Sequence, residues 1–104
     1  MNERRKAQRA DLDTWVEIAS ANGRVRAATF DVSADGLGLT GVAPEVGESL
    51  LAEFPLPGIG LPLELAGQVV WSDASGPRAG LLFREVDPGL HEILASYVSG
   101  RLAR

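Results

Sequence analysis

Thr14-Trp15-Val16-Glu17-Ile18-Ala19-Ser20-Ala21-Asn22-Gly23-Arg24-Val25-Arg26-Ala27-Ala28-Thr29-Phe30-Asp31-Val32 reads as two strands around a tight turn. Thr14 to Ser20 is rich in β-branched and aromatic residues, Ala21-Asn22-Gly23 supplies residues that tolerate positive φ, and Arg24 to Val32 returns. The same punctuation continues downstream. Gly36 to Val42 is a third candidate strand, and Ser49 to Leu56 a fourth, in which Leu50, Ala52, Phe54 and Leu56 alternate along one face before Pro55 and Pro57 end it. Leu61 to Trp71 is a fifth, expected to bend near Ala66-Gly67, and Arg78 to Val86 a sixth, with Ala79, Leu81 and Phe83 on one side. Trp15 and Trp71 occupy strand positions where a large aromatic is expected to fill the core. Six strands in succession imply a mainly all-β antiparallel barrel or sandwich.

After position 86 the period changes. Asp87 suits a helix cap, Pro88 the first helical position, and Leu90, Ile93, Leu94, Tyr97, Val98 and Leu102 recur at helical spacing. A terminal helix with one apolar face is a natural cover for the open end of a small barrel. The 104 residues divide as one domain: an exposed, mobile arm over 1–12, strands over 13–86 and a helix over 87–103.

Composition narrows the function. A 45% hydrophobic content is enough to bury one core, and the absence of cysteine removes disulfides, thiolate zinc sites and cysteine nucleophiles. The net charge is −4, yet Arg4, Arg5, Lys6 and Arg9 against Glu3 make the first ten residues +3, leaving −7 on the rest. Between Arg26 and Arg78 there are seven acidic residues and no basic one. Such a body repels a polyphosphate laid along it, so no nucleic acid polymer is expected as partner, whereas a compact anion gripped by the arm fits the pattern. No apolar run of 18 residues is present and Met1 to Lys6 lacks the apolar stretch of a secretory signal, so no membrane insertion and a cytoplasmic location are expected.

Two motifs carry the chemistry. Asp31-Val32-Ser33-Ala34-Asp35-Gly36 sets a carboxylate, a hydroxyl and a glycine at D-x-S-x-x-G spacing. Asp31 and Ser33, two apart on an extended segment, share a face and could address one ligand, with Gly36 easing the turn. Alone, the hexapeptide reads first as an Asx-type turn between strands. Arg5-Lys6-Ala7-Gln8-Arg9 places two guanidiniums four apart, with Arg4 immediately ahead. Alone this is a solvated terminus, but two such arginines could close on one ligand, each forking onto phosphate or the O6/N7 edge of guanine.

Other features carry less. Gly36-Leu37-Gly38-Leu39-Thr40-Gly41 fits G-x-G-x-x-G, but Pro44 and Gly47 stand where a dinucleotide-binding fold needs its helix. His91 is the one imidazole and is expected at the surface, without the second ligand a transition metal requires. No nucleophile elbow accompanies Ser33, so no catalytic residues and no enzymatic activity are expected.

In this order, 22 residues apart from Arg9 to Asp31 and followed by strands such as Gly67-Gln68-Val69-Val70-Trp71 and Gly80-Leu81-Leu82-Phe83, the two motifs resemble the PilZ domain family over nearly the whole chain. The resemblance implies a six-stranded antiparallel PilZ-type β-barrel with one C-terminal α-helix, and a receptor for cyclic di-GMP with no other cofactor. It implies that Arg4, Arg5, Arg9, Asp31, Ser33 and Gly36 form the ligand site: arginines on phosphates and guanine edges, Asp31 on guanine N1–H and N2, Ser33 as a short donor or acceptor, and Gly36 keeping the turn open. An arginine at position 4 further implies two stacked ligand molecules per chain, its charge offsetting phosphate repulsion, although Lys6 could supply the same charge. The expected output is ordering of the arm, at roughly 1–2 kcal/mol per ordered residue, and display of a surface to a downstream protein partner. The alternative is a PilZ-fold protein-interaction module that does not require the nucleotide.

Overall fold

The computed structural model describes residues 8–102. Seven strands precede one helix: β1 Arg9–Asp11, β2 Trp15–Ser20, β3 Gly23–Ser33, β4 Gly36–Thr40, β5 Ser49–Phe54, β6 Leu63–Asp73, β7 Arg78–Phe83 and α1 Pro88–Leu102. All pairings are antiparallel. The order β3-β2-β5-β6-β7-β4 closes through a β3–β4 pairing into a six-stranded barrel, with β1 as an additional strand. Closure removes the free edges that an open sheet would expose. β3 is long enough, at 11 residues, for its first part to pair with β2 and its end to pair with β1.

Alternation fills the interior as the sequence suggests. Val16 and Ile18 of β2, Leu37 and Leu39 of β4, Leu50, Ala52 and Phe54 of β5, and Ala79, Leu81 and Phe83 of β7 are all buried. Phe54 and Phe83 stack across the core with centroids 6.4 Å apart. Asp87 caps α1 by accepting from the Gly89 N–H at 2.9 Å, and Leu94 and Val98 of the helix enter the core. The helix packs chiefly on β1 and β3 and is too short to cross a membrane.

Three expectations need revision. The fifth expected strand keeps a regular register through Ala66-Gly67, opposite Leu51 and Leu50 of β5. Gly67 instead lets β7 approach, since a methyl there would lie 2.7 Å from Leu81 Cγ, and the irregularity falls at Val70, between the Val69–Leu81 and Trp71–Gly80 pairs. Neither tryptophan is in the core. Trp15 alternates with buried Val16 and lies half-buried under Arg26, while the Val70 bulge turns Trp71 outward, leaving it 44% exposed. Finally, the segment expected as an arm over 1–12 is anchored from Arg9 onward: residues 9–11 form β1, and Ala10 and Leu12 are buried.

Candidate functional site

Antiparallel pairing of β1 with β3 sets Arg9 opposite Ser33 and Asp11 opposite Asp31. The register joins the two motifs in space. Arg9 reaches along the ladder and donates from Nε to Asp31 Oδ2 at 2.8 Å and from Nη2 to Asp31 Oδ1 at 3.0 Å. The fork is bidentate and partly shielded from water, so guanidinium and carboxylate hold one another in a fixed orientation. Each carboxylate oxygen keeps a lone pair for a further donor. Arg4 and Arg5 lie outside the described residues.

Ser33 does something different from what its spacing suggests. It is 1% exposed, and its Oγ accepts from the N–H groups of Asp35 and Gly36, each at 3.0 Å. The hydroxyl therefore shapes the turn that carries Asp31, and it does not share an open face with it. Gly36 is likewise structural: its φ is not in the left-handed region, and a methyl there would sit 2.5 Å from the Leu81 carbonyl oxygen of β7. It serves close strand approach and not turn freedom. His91, at the start of α1, is half-exposed as expected and faces Asp35 at 3.6 Å.

Beside Asp31 the outer wall carries side chains that sequence reasoning did not assign to a site. β3 has a bulge at Phe30, between the Thr29–Leu39 and Asp31–Gly38 pairs. The bulge sends both Phe30 and Asp31 outward over Gly38, where a methyl would lie 2.6 Å from Phe30 Cζ and would collide with Asp31 Oδ1. Gly38 pairs with Gly80, whose outer face is covered by the Trp71 indole, with Cδ1 2.7 Å from a methyl placed there. Phe30 and Trp71 meet at 6.4 Å with a 50° tilt, and the Arg78 guanidinium lies 4.6 Å from the Phe30 ring centroid. The available signal was the pair of glycines, Gly38 and Gly80, each opposite an aromatic on the neighbouring strand, which strand alternation alone does not connect.

This arrangement of a barrel, an N-terminal strand bearing the second arginine of R-x-x-x-R, and D-x-S-x-x-G at the end of β3 coincides with a match of the PilZ domain profile to residues 3–100. The chain belongs to the PilZ domain family. Solved PilZ structures superpose on it closely. The PilZ domain with c-di-GMP of YcgR from Escherichia coli aligns over 97% of this chain and 93% of that one, with a TM-score of 0.77 at 18% identity. The inhibitor of motility MotI/DgrA of Bacillus subtilis aligns over 98% of this chain with a TM-score of 0.81 at 23% identity. This PilZ chain spans about half, 52%, of the length of MotI. The PilZ domain of CeSA from a cellulose-synthesizing bacterium aligns over 93% of this chain and 99% of that one, with a TM-score of 0.69 at 20% identity. No curated protein matches significantly at the sequence level.

Proposed function

We propose that this PilZ domain is a non-catalytic cytoplasmic receptor for cyclic di-GMP that passes the signal to a protein partner. The observation that carries the reading is the bidentate Arg9–Asp31 pair, which unites motifs 22 residues apart at one rim of the barrel. Arg9 held there is oriented for a phosphate or a guanine O6/N7 edge, and the free lone pairs of Asp31 suit the paired N1–H and N2–H donors that guanine has and adenine lacks. Arg5 and Arg4 join from the segment before β1, Ser33 acts by holding the turn, and Gly36 by admitting β7. Ligand contacts order the residues ahead of Arg9, and the surface so formed at the rim is what a partner reads. With Arg4 present, the site takes two stacked ligands.

Calorimetric titration with cyclic di-GMP and its adenine analogue tests this. Arg5→Ala and Arg9→Ala should each weaken binding by about 2 kcal/mol, the scale of hydrogen bonds to charged groups. Asp31→Ala should narrow the preference for guanine, and Arg4→Leu should lower saturation from two ligands per chain toward one. Equal affinity of wild type and both arginine variants would remove the arm from the site. No wild-type binding at all would leave the protein-interaction module as the reading of the fold.

A further inference from the structure

We propose that the groove between the 55–62 loop and α1 is the docking site of a partner protein, which lays a short amphipathic helix into it antiparallel to α1. The inference rests on the receptor reading for the existence of a partner, and it adds a holding surface that contains no residue of either motif.

The loop is the first observation. Between Phe54 and Leu63 the sequence runs Pro55-Leu56-Pro57-Gly58-Ile59-Gly60-Leu61-Pro62 without one polar side chain. Loops ordinarily carry residues that meet water or bond the backbone. Here Leu56 is buried and anchors the loop, while Ile59 is 38% and Leu61 76% exposed. Pro55, Pro57 and Pro62 restrict the chain on both sides, so little freedom remains to be lost when another molecule covers these side chains. Across from the loop lies the second observation. Leu56, Pro57 and Ile59 face Ile93, Ser96 and Tyr97 of α1 over a groove of about 450 Å³. An exposed apolar loop beside an apolar groove marks an interaction surface.

The walls determine the occupant. All of the lining comes from a loop and a helix, so an added β-strand has no edge to pair with, whereas a helix with apolar side chains one turn apart suits a groove walled by side chains. Charge sets its direction. Glu92 lines the groove and the Asp87 carboxylate lies 2.9 Å from the N–H of Gly89, another lining residue, so the end at the start of α1 is acidic. At the other end the Arg101 guanidinium rests 4.7 Å from the Tyr97 ring centroid. A helix with glutamates in its first turn and lysines in its last is favoured by its own macrodipole. Laid antiparallel to α1, it brings each end to the opposite charge. A second copy fits less well, because beyond its first ten residues the chain carries −7 and two such bodies repel. The groove also communicates with the ligand site: Tyr97 lines it, and its hydroxyl donates to the Asp11 carbonyl of β1, the strand that presents Arg9.

The test uses the full chain and a fluorescein-labelled peptide with leucines at i, i+3, i+4 and i+7, glutamates in its first turn and lysines in its last, followed by fluorescence anisotropy without nucleotide. Binding should saturate. Leu61→Ser, which removes an anchor, and Ser96→Trp, which fills the groove, should each weaken it roughly tenfold or more. Both side chains are exposed, so melting curves of these variants should match the wild type. Glu92→Lys should weaken the same peptide and should bind more tightly than wild type a peptide whose lysines are replaced by glutamates. Unchanged affinity in Leu61→Ser and Ser96→Trp, or equal binding of a peptide with its leucines scattered around the helix, would overturn the groove. So would a wild-type dimer that Leu61→Ser dissolves in sedimentation, or binding to anionic vesicles that Leu61→Ser abolishes, since the surface would then belong to a second copy or to a membrane. No peptide binding by a chain that takes cyclic di-GMP normally overturns the docking site alone. Peptide binding by a chain that takes no cyclic di-GMP overturns the receptor reading alone.

Discussion

Thr29 and Ser33 are the buried polar side chains among the described residues, and each is fully engaged. The Thr29 hydroxyl donates to the Leu12 carbonyl at 2.5 Å and accepts from the Thr14 N–H at 3.1 Å, so one side chain ties the 12–14 turn, which directly follows β1, to β3. Thr29→Val keeps the shape and leaves both backbone groups without a partner. It should lower stability by about 1–3 kcal/mol in chemical denaturation, whereas Thr29→Ser should recover much of the loss. Nothing in the sequence distinguished Thr29, because threonine is at home in any strand and its partners come from a turn 15 to 17 residues away. Ser33 shows the complement. Its spacing from Asp31 was legible, but whether its hydroxyl met a ligand or its own turn depended on which backbone N–H groups folding brought within 3.0 Å.

At the scale of strands, glycine marks where two backbones touch. Gly36 faces the Leu81 carbonyl of β7 with no room for a methyl, so Gly36→Ala requires backbone displacement at the closure of the barrel. It should destabilise by about 1–3 kcal/mol in thermal melts, as overpacking does. Gly60→Ala, in a loop where a methyl meets nothing within 4 Å, should stay within about 0.5 kcal/mol of wild type. The strands themselves were readable from alternation and turn residues, to within two residues for β2, β4, β5 and the helix. The two bulges were not. An extra residue changes the phase of everything after it, and only the register against the neighbouring strand reveals it. For that reason Trp71, two residues past buried Val69, was expected inside and lies outside.

For the whole molecule, α1 is the element that joins the barrel to the site. Leu94 is fully buried and Val98 nearly so, and the Tyr97 hydroxyl donates to the Asp11 carbonyl of β1 at 3.4 Å. The helix therefore packs on the strand that presents Arg9. Leu94→Ala should cost about 2–5 kcal/mol through lost burial and a residual cavity. For a domain of this size each kcal/mol corresponds to roughly 4–8 °C in melting temperature, so calorimetry should show a drop of at least about 8 °C. A change of only one or two degrees would mean that the helix is a loosely held cover.

The sequence by itself determined the local choices. Hairpin chemistry at Asn22-Gly23, alternation in β5 and β7, and the Asp87-Pro88 start of a helical period act over a few residues and require no partner. It also determined the family, because the order and spacing of R-x-x-x-R and D-x-S-x-x-G are properties of the chain itself. Tertiary structure decided what depends on register: that β1 exists and pairs with the end of β3, that Arg9 meets Asp31, that Ser33 turns inward, and that Phe30, Trp71 and Arg78 share one wall. Those outcomes hinge on which residue of one strand lies beside which residue of another, and a shift of a single position reverses the face of every side chain that follows.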